Sequence, residues 1–224
     1  MSITAENVNV ALEEIKKKSK PRKFTQTIDI AINLKDLDLN QPQNRLNVEI
    51  TLPHPVKDVK ICVIAQGDLA LRAEKAGAEK IIDKDELGRL GSDRKSAKKI
   101  AKNYDYFIVG INLMPSVGRF LGPVLGPLGK MPLAPPKGAG IINPKSDLVS
   151  ILDKYRKTIR FRIKKNPVIL TAFANEKMES KEIFENLQIL LHYLEEHLEK
   201  GLRNIKSIYI KATMSPPVKL NLRK

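Results

Sequence analysis

Four segments of this chain alternate apolar and polar residues with a period of two, and they sit toward its two ends. Ile28, Ile30, Ile32 and Leu34 interleave with Thr27, Asp29, Ala31 and Asn33, and Leu46, Val48, Ile50 and Leu52 with Asn47, Glu49 and Thr51. The pattern returns in Ile159, Phe161 and Ile163, and again in Ile208, Ile210 and Ala212. This period fits strands buried on one face, mostly in antiparallel sheet. The middle of the chain breaks it: Ile61 to Ala65 and Tyr106 to Val109 run apolar without interruption, as parallel strands covered on both faces do. Helical segments lie between them, from Asp68 to Ala76 and, strongly basic, from about Asp83 to Lys102. A one-face sheet that stops and resumes around a parallel unit predicts an inserted domain. The fold class is thus α/β with α+β, in two domains. Residues 1–56 and 157–224 form a split α+β base domain with a mostly antiparallel sheet, and residues 57–156 form a small parallel α/β domain. The first crossing falls in Thr51-Leu52-Pro53-His54-Pro55, where two prolines resist regular structure, and the second near Lys157. The competing reading is one continuous α+β domain.

Two helices complete the base domain: one with the stripe Val8, Leu12 and Ile15, the other with Ile183, Leu187, Leu190, Leu191, Leu194 and Leu198. Ser180 is the expected N-cap of the second, and Gly201 lies just past its end. The chain carries 40 Lys and Arg against 25 Asp and Glu, a net charge of +15, so its field attracts polyanions. Residues 1–56 contribute +1, and 57–156 and 157–224 contribute +7 each. The last segment reaches +7 despite an acidic helix, which places Arg160, Arg162 and Lys164 together on the solvent face of a strand. With no Trp and 5% aromatic residues, an extended stacking platform for single strands is disfavoured. One cysteine, Cys62, in an apolar run gives no disulfide framework and points to a reducing compartment. No signal peptide opens the chain and no apolar stretch is long enough to cross a bilayer, so a cytoplasmic protein with no membrane partner is expected.

Catalytic parts are missing. Gly122-Pro123-Val124-Leu125-Gly126-Pro127-Leu128-Gly129-Lys130-Met131-Pro132 resembles a phosphate loop, but Val124 and Met131 occupy positions where that loop needs Gly and Ser or Thr. It reads as a rigid Gly-Pro loop, with a possible RNA or partner contact. His54, His192 and His197 form no ligand or triad pattern, so neither a metal nor a cofactor is expected. The basic strands say more. Lys23-Phe24-Thr25-Gln26-Thr27 opens one strand and Lys211-Ala212-Thr213-Met214-Ser215-Pro216 closes another, each joining a cation, a hydroxyl and an apolar tip beside a break. Such groups suit phosphates and ribose hydroxyls in the shallow minor groove of folded RNA. The bland alternative is that Phe24 and Met214 cap the core at strand ends.

Lys23-Phe24 with Thr27, the crossing Leu52 to His54, the loop Leu125 to Pro132 and Thr213-Met214 occur in the order found in the L-one family of large-subunit ribosomal proteins. The chain resembles that family over nearly its whole length, in its archaeal branch. The resemblance implies a base domain made of both chain ends with an inserted Rossmann-like domain. It also implies a non-enzymatic protein of the ribosome, a monomer when free. Its role would be to bind a folded rRNA stalk element near the tRNA exit site and to repress translation by binding its own mRNA. Expected partners are large-subunit rRNA, its own mRNA and tRNA leaving the ribosome. The expected RNA-binding residues are Lys23, Phe24, Thr25, Thr27, Arg162, Lys164, Lys211, Thr213, Met214 and Ser215. Ser215 stands where the family has Gly, which puts close backbone approach at that turn in question. The rival from another class is a small α/β enzyme holding a phosphate-bearing cofactor in the middle domain.

Overall fold

A computed structural model describes residues 4–41, 44–163 and 166–220. The chain divides into two compact units, Met1–Lys57 with Lys157–Lys224, and Asp58–Arg156. In the first, β1 (Thr27–Leu34), β8 (Val168–Asn175), β9 (Ile205–Ala212) and β10 (Val218–Leu220) form a sheet in the order β10-β9-β1-β8, every pair antiparallel. Along β1 every second residue is buried: Ile28, Ile30, Ile32 and Leu34 enter the core and Thr27, Asp29, Ala31 and Asn33 stay on the solvent side. Burying each such aliphatic side chain is worth about 1.5–3 kcal/mol. Helices α1 (Ala5–Lys18) and α8 (Ser180–His197) bury Val8, Leu12, Ile15, Ile183, Leu187, Leu190 and Leu194 in the same core. The N-cap of α8 is Glu179, not Ser180. Glu179 and Glu182 form a reciprocal capping box, in which two carboxylates answer two free backbone N–H groups at the positive helix end.

A second, two-stranded sheet pairs β2 (Asn47–Thr51) antiparallel with β7 (Thr158–Arg162). Thr51 lies opposite Thr158, and Leu52 N–H donates to the Lys157 carbonyl at 2.9 Å. The outgoing and returning segments therefore leave this unit side by side. Asn186 of α8 fastens the outgoing one: its amide donates to the carbonyls of His54 (3.1 Å) and Phe173 (2.9 Å) and its oxygen accepts His54 N–H (3.1 Å). The His54 ring sits between two carboxylates of the same helix, Nε2 at 2.7 Å from Glu185 and Nδ1 at 3.5 Å from Glu182.

The unit Asp58–Arg156 is a parallel sheet in the order β4 (Lys80–Ile82), β3 (Ile61–Ile64), β5 (Tyr106–Gly110), β6 (Ile141–Ile142). Alternate residues feed opposite faces. Cys62, Ile64, Phe107 and Val109 pack with Leu87, Ala97, Val117 and Leu125 of the helices between Lys84 and Leu128, and Ile61, Val63 and Ile108 with residues of α2 (Asp68–Lys75) and α7 (Leu148–Arg156). Burial pushes the Cys62 thiol up to about 12, as a strand-core residue requires. Two expectations need correction here. The basic stretch is two helices, α3 (Lys84–Ser92) and α4 (Arg94–Asn103), broken at Asp93, whose carboxylate accepts the N–H groups of Lys95 and Ser96 and so restarts the helix. The Gly-Pro segment is helical: α5 (Met114–Phe120) and α6 (Gly122–Leu128) each begin with a proline in the first turn, where its missing N–H has no intrahelical partner to lose. Of the glycines in this segment, Gly129, at φ 73° closing α6, is the one in a conformation that favours glycine. Lys130 Nζ donates to the carbonyls of Ala101 and Tyr104 at 2.9 and 2.6 Å, closing the C-terminal end of α4.

Asn186 is fully buried and its three bonds tie the outgoing crossing to the sheet. Asn186→Ala is expected to lower the free energy of unfolding by about 2–4 kcal/mol in urea denaturation, because buried backbone partners lose their bonds. A change within about 0.5 kcal/mol would show that the crossing holds without it.

Candidate nucleic-acid interface

The two sequence segments singled out at strand ends meet in space. Thr213 N–H donates to the Thr27 carbonyl at 3.0 Å, and the Thr213 and Thr27 hydroxyls lie 3.0 Å apart. Gln26 makes the junction. It is 2% exposed, and its amide oxygen accepts Met214 N–H (3.1 Å) while its nitrogen donates to Ser19 Oγ (3.0 Å) and Glu176 Oε2 (3.2 Å). Glu176 Oε1 also accepts Gln26 N–H at 2.9 Å. One buried amide thus ties the end of α1, the start of β1, the end of β8 and the turn after β9. With Met214 N–H held by Gln26, Phe24 and Met214 are 51% and 55% exposed, which large apolar side chains used only as core caps are not. Lys23 and Thr25 are exposed on either side of Phe24. Ser215 is buried instead. Its hydroxyl accepts Ala212 N–H at 2.9 Å and its own N–H donates to the Ala212 carbonyl, so its side chain serves the turn and does not face outward.

From this junction the solvent side of the sheet continues along β1 and β9. The register sets Asp29 opposite Lys211, Ala31 opposite Tyr209 and Asn33 opposite Ser207, whose hydroxyl accepts from Asn33 Nδ2 at 2.9 Å. On the other flank Asp29 faces Ala172 and Ala31 faces Leu170, which is 72% exposed. Burial raises the Asp29 carboxyl above the ordinary 3.8, with the nearby Lys211 charge opposing. The face offers hydroxyls, an amide, a carboxylate, the cations Lys211 and, on β10 opposite Tyr209, Lys219, and scattered apolar tips.

The remaining expected residues lie elsewhere. Arg162 is on the two-stranded sheet directly opposite Asn47, half-buried, and lines a cavity of about 520 Å³ with Leu39, Asn40, Arg45 and Leu46. Burial first, and the neighbouring Arg160 charge second, lower its proton affinity. Five positions on, the Pro167 carbonyl receives Leu34 N–H, at the opposite end of β1 from Thr27. Arg162 is therefore not gathered with Thr213 and Met214. Arg160 does not share the open face expected of it: it forms an ion pair with Glu49, its register partner across β2, and both side chains are largely covered. Lys164 lies outside the described residues. Sequence reasoning missed Gln26 and Asp29. Asp29 was visible as the one acidic member of an otherwise uncharged solvent-side row, whereas nothing local marks Gln26 as buried.

Two outcomes follow from this geometry. Gln26→Ala removes three side-chain bonds and is expected to cost about 1–3 kcal/mol of stability and to loosen the Met214 turn, seen as faster amide exchange at Met214 than elsewhere in β9. For Asp29 the sign is set by its raised value. The protonated form is favoured in the fold, so its contribution is fully present below the ordinary carboxylate value of 3.8 and is lost as pH rises through the raised one. Asp29→Asn should accordingly be more stable than the parent at pH 7, with the difference shrinking as pH falls toward the ordinary carboxylate range. Denaturation curves across that range check it, and a destabilised Asp29→Asn at pH 7 contradicts it.

Among the described residues no helix is long and apolar enough to cross a membrane, and no group of three His, Cys, Asp or Glu side chains is placed to hold a metal ion. The family model described as Ribosomal protein L1p/L10e family matches residues 5–216. The chain is 47% identical to the large ribosomal subunit protein uL1 of Methanothermobacter thermautotrophicus, over 94% of this chain and 96% of that one. It is 46% identical to the protein of that name from Methanosphaera stadtmanae, over 93% and 96% of the two chains. With that from Pyrococcus abyssi the identity is 42%, over 98% of each. With a match across almost its whole length and archaeal relatives at this identity, the chain belongs to the Ribosomal protein L1p/L10e family of large-subunit ribosomal proteins.

Proposed function

We propose that this chain is a structural constituent of the large ribosomal subunit that grips a folded rRNA element, the stalk near the tRNA exit site, with the solvent side of its antiparallel sheet. The supporting observation is the junction at Gln26: two segments nearly 190 positions apart are locked so that Phe24, Thr27, Thr213 and Met214 form one surface. Lys23, Thr25 and Lys211 border it. Hydroxyls and apolar tips at the strand ends suit ribose edges, and the bordering cations suit phosphates. Ser215 contributes by shaping the turn, and Arg162, with Lys164, by a separate phosphate contact. The same surface serves for repression: an RNA fold in the chain's own mRNA competes with rRNA for it. The unit Asp58–Arg156 adds charge. Lys95, Lys98, Lys99 and Lys102 are exposed on α4 and attract RNA, including tRNA leaving the ribosome, without reading its sequence. Nothing favours the cofactor-binding reading, since the Gly-Pro segment forms helices and Lys130 is engaged with backbone carbonyls.

Filter binding of a large-subunit rRNA stalk fragment, random RNA and duplex DNA at matched salt tests this reading. Strong preference for the fragment is expected, and equal binding to all three would overturn it. Within that assay Thr213→Val should weaken binding to the fragment by about 1–3 kcal/mol with no change in salt slope, since a hydroxyl but no charge is lost. Because among the described residues the Thr213 hydroxyl bonds only the exposed Thr27 side chain and carbonyl, stability should fall by no more than about 1 kcal/mol. Lys23→Ala should instead reduce the salt slope by about one unit.

A further inference from the structure

The strand pair β2–β7 carries two arginines at alternate positions and provides a counter-charge for one of them. Arg160 and Arg162 of β7 lie opposite Glu49 and Asn47 of β2. The Glu49 carboxylate holds Arg160 in an ion pair. Asn47 is a neutral amide, and among the described residues Arg162 has neither a hydrogen bond nor an ion pair. Yet the Arg162 guanidinium is half-buried beside a like charge, surroundings that disfavour a cation with no counter-ion. The side-chain oxygen of Asn47 is buried and has no hydrogen-bond partner among the described residues either. Both side chains belong to the wall of the cavity of about 520 Å³. A second guanidinium stands on its rim. Arg45 Nε donates to the Leu39 carbonyl at 2.7 Å, which fixes the group while its two Nη ends make no hydrogen bond among the described residues. Buried Asn44 steadies the same rim, donating to the Asp38 carbonyl (2.9 Å) and to Glu199 (3.0 Å). The Asp38 carboxylate is engaged by Asn40 N–H at 2.9 Å. Beneath the arginines the wall is apolar: Leu46 and Ile163 are buried and Leu39 packs against the core.

We propose that this cavity holds one nucleotide, with its phosphate on Arg162 and Arg45 and its base against Leu39, Leu46 and Ile163. The nucleotide is either turned out of an RNA or free in solution. The inference rests on the reading that Arg162 makes a phosphate contact and deepens it, adding a base to the phosphate. Guanidinium groups bind phosphate oxygens through paired N–H donors, and two of them here face no protein anion at close range. A bare phosphate would leave most of the space unused, since one water takes about 30 Å³. Cavities of about 300–1,000 Å³ with apolar walls and a few polar groups are instead the usual size and make-up of sites for small organic ligands. Nucleotides join a phosphate to a flat ring whose faces suit apolar walls, and guanidinium planes also stack on bases. The amides of Asn40 and Asn47 border the site, and an amide both donates and accepts, so base edges of either kind are accommodated.

The test uses the full chain and its Arg162→Met variant, titrated at fixed salt with adenosine 5′-monophosphate, adenosine and inorganic phosphate and followed by amide NMR shifts. The monophosphate is expected to move the amides of Leu46, Asn47 and Ile163 and to bind at least about tenfold tighter than adenosine or phosphate alone. Arg162→Met should lose about tenfold of that affinity with no drop in thermal midpoint, because the guanidinium has no partner in the fold to lose. Phosphate binding as tightly as the monophosphate overturns the inference, since the cavity would then hold a bare anion. Shifts confined to the lysines of α4, or an Arg162→Met variant that binds like the parent, also overturn it. Adding excess rRNA stalk fragment separates the two sources of an established site: expulsion of the monophosphate assigns the cavity to a nucleotide of the RNA, and simultaneous binding assigns it to a free one. The underlying reading is checked without any nucleotide, by the salt slope for the fragment, which fails to change in Arg162→Met if that residue meets no RNA phosphate. A slope lowered by about one unit with no monophosphate binding keeps the phosphate contact and overturns the nucleotide site.

Discussion

The amide of Gln26 links α1, β1, β8 and the turn after β9 through bonds to Ser19, Glu176 and Met214, and it does so while almost completely buried. Everything distinctive about the proposed RNA face depends on that bracket. Phe24 and Met214 lie in segments without regular hydrogen bonding, so left alone each would sample many orientations and lose several kinds of entropy on binding. Anchored from beneath, the Met214 backbone and that of Gln26, two residues after Phe24, are held before any partner arrives. The two threonine hydroxyls meet for the same reason: the ladder between β1 and β9 runs on into the turn, carried by Thr213 N–H bonded to Thr27.

The antiparallel sheet has one committed face and one free face. Isoleucines at alternate positions of β1 and β9 bury against α1 and α8 and supply the stabilisation, which releases the other face from any packing duty. That separation explains how polar and charged groups, including a carboxylate in unfavourable surroundings, are tolerated over the length of the central strand. In the unit Asp58–Arg156 both faces of the sheet are committed, so any chemistry there falls to helix surfaces such as the lysines of α4.

The period-two segments and the continuous apolar runs were legible in the sequence because burial leaves its mark residue by residue: Ile28 to Leu34 and Ile61 to Ala65 could be sorted into one-faced and two-faced strands with no knowledge of their partners. What was not legible depends on partners far away. Arg160 read as a free surface cation because Glu49, which claims it, lies 111 positions earlier. Gln26 read only as one member of the strand-opening motif, with nothing to mark it as buried, because its partners lie 7, 150 and 188 positions off. The Gly-Pro segment failed for a different reason. Proline and glycine counts argue for a loop, but each seven-residue helix opens on a proline whose missing N–H has no partner to lose, and the second proline of α6, Pro127, lies within its last turn, two residues before the Gly129 cap. The strand-end site itself was half visible: the residue types at Phe24 to Thr27 and Thr213 to Met214 could be read, whereas their meeting could not.

The order of β-strands also governs when the protein becomes competent. β1 is completed early in synthesis, but both strands that flank it, β8 and β9, come from the last quarter or so of the chain. Until then its edges have no partner, while the parallel unit between them, built from local neighbours, has all its strands in hand. A chain stalled or clipped before Thr213 would keep Phe24 but have no bracket to hold it and no second half to complete the surface. Incorporation into a ribosome would thus select for molecules translated nearly to their end, making the split topology a length check on the protein that carries it.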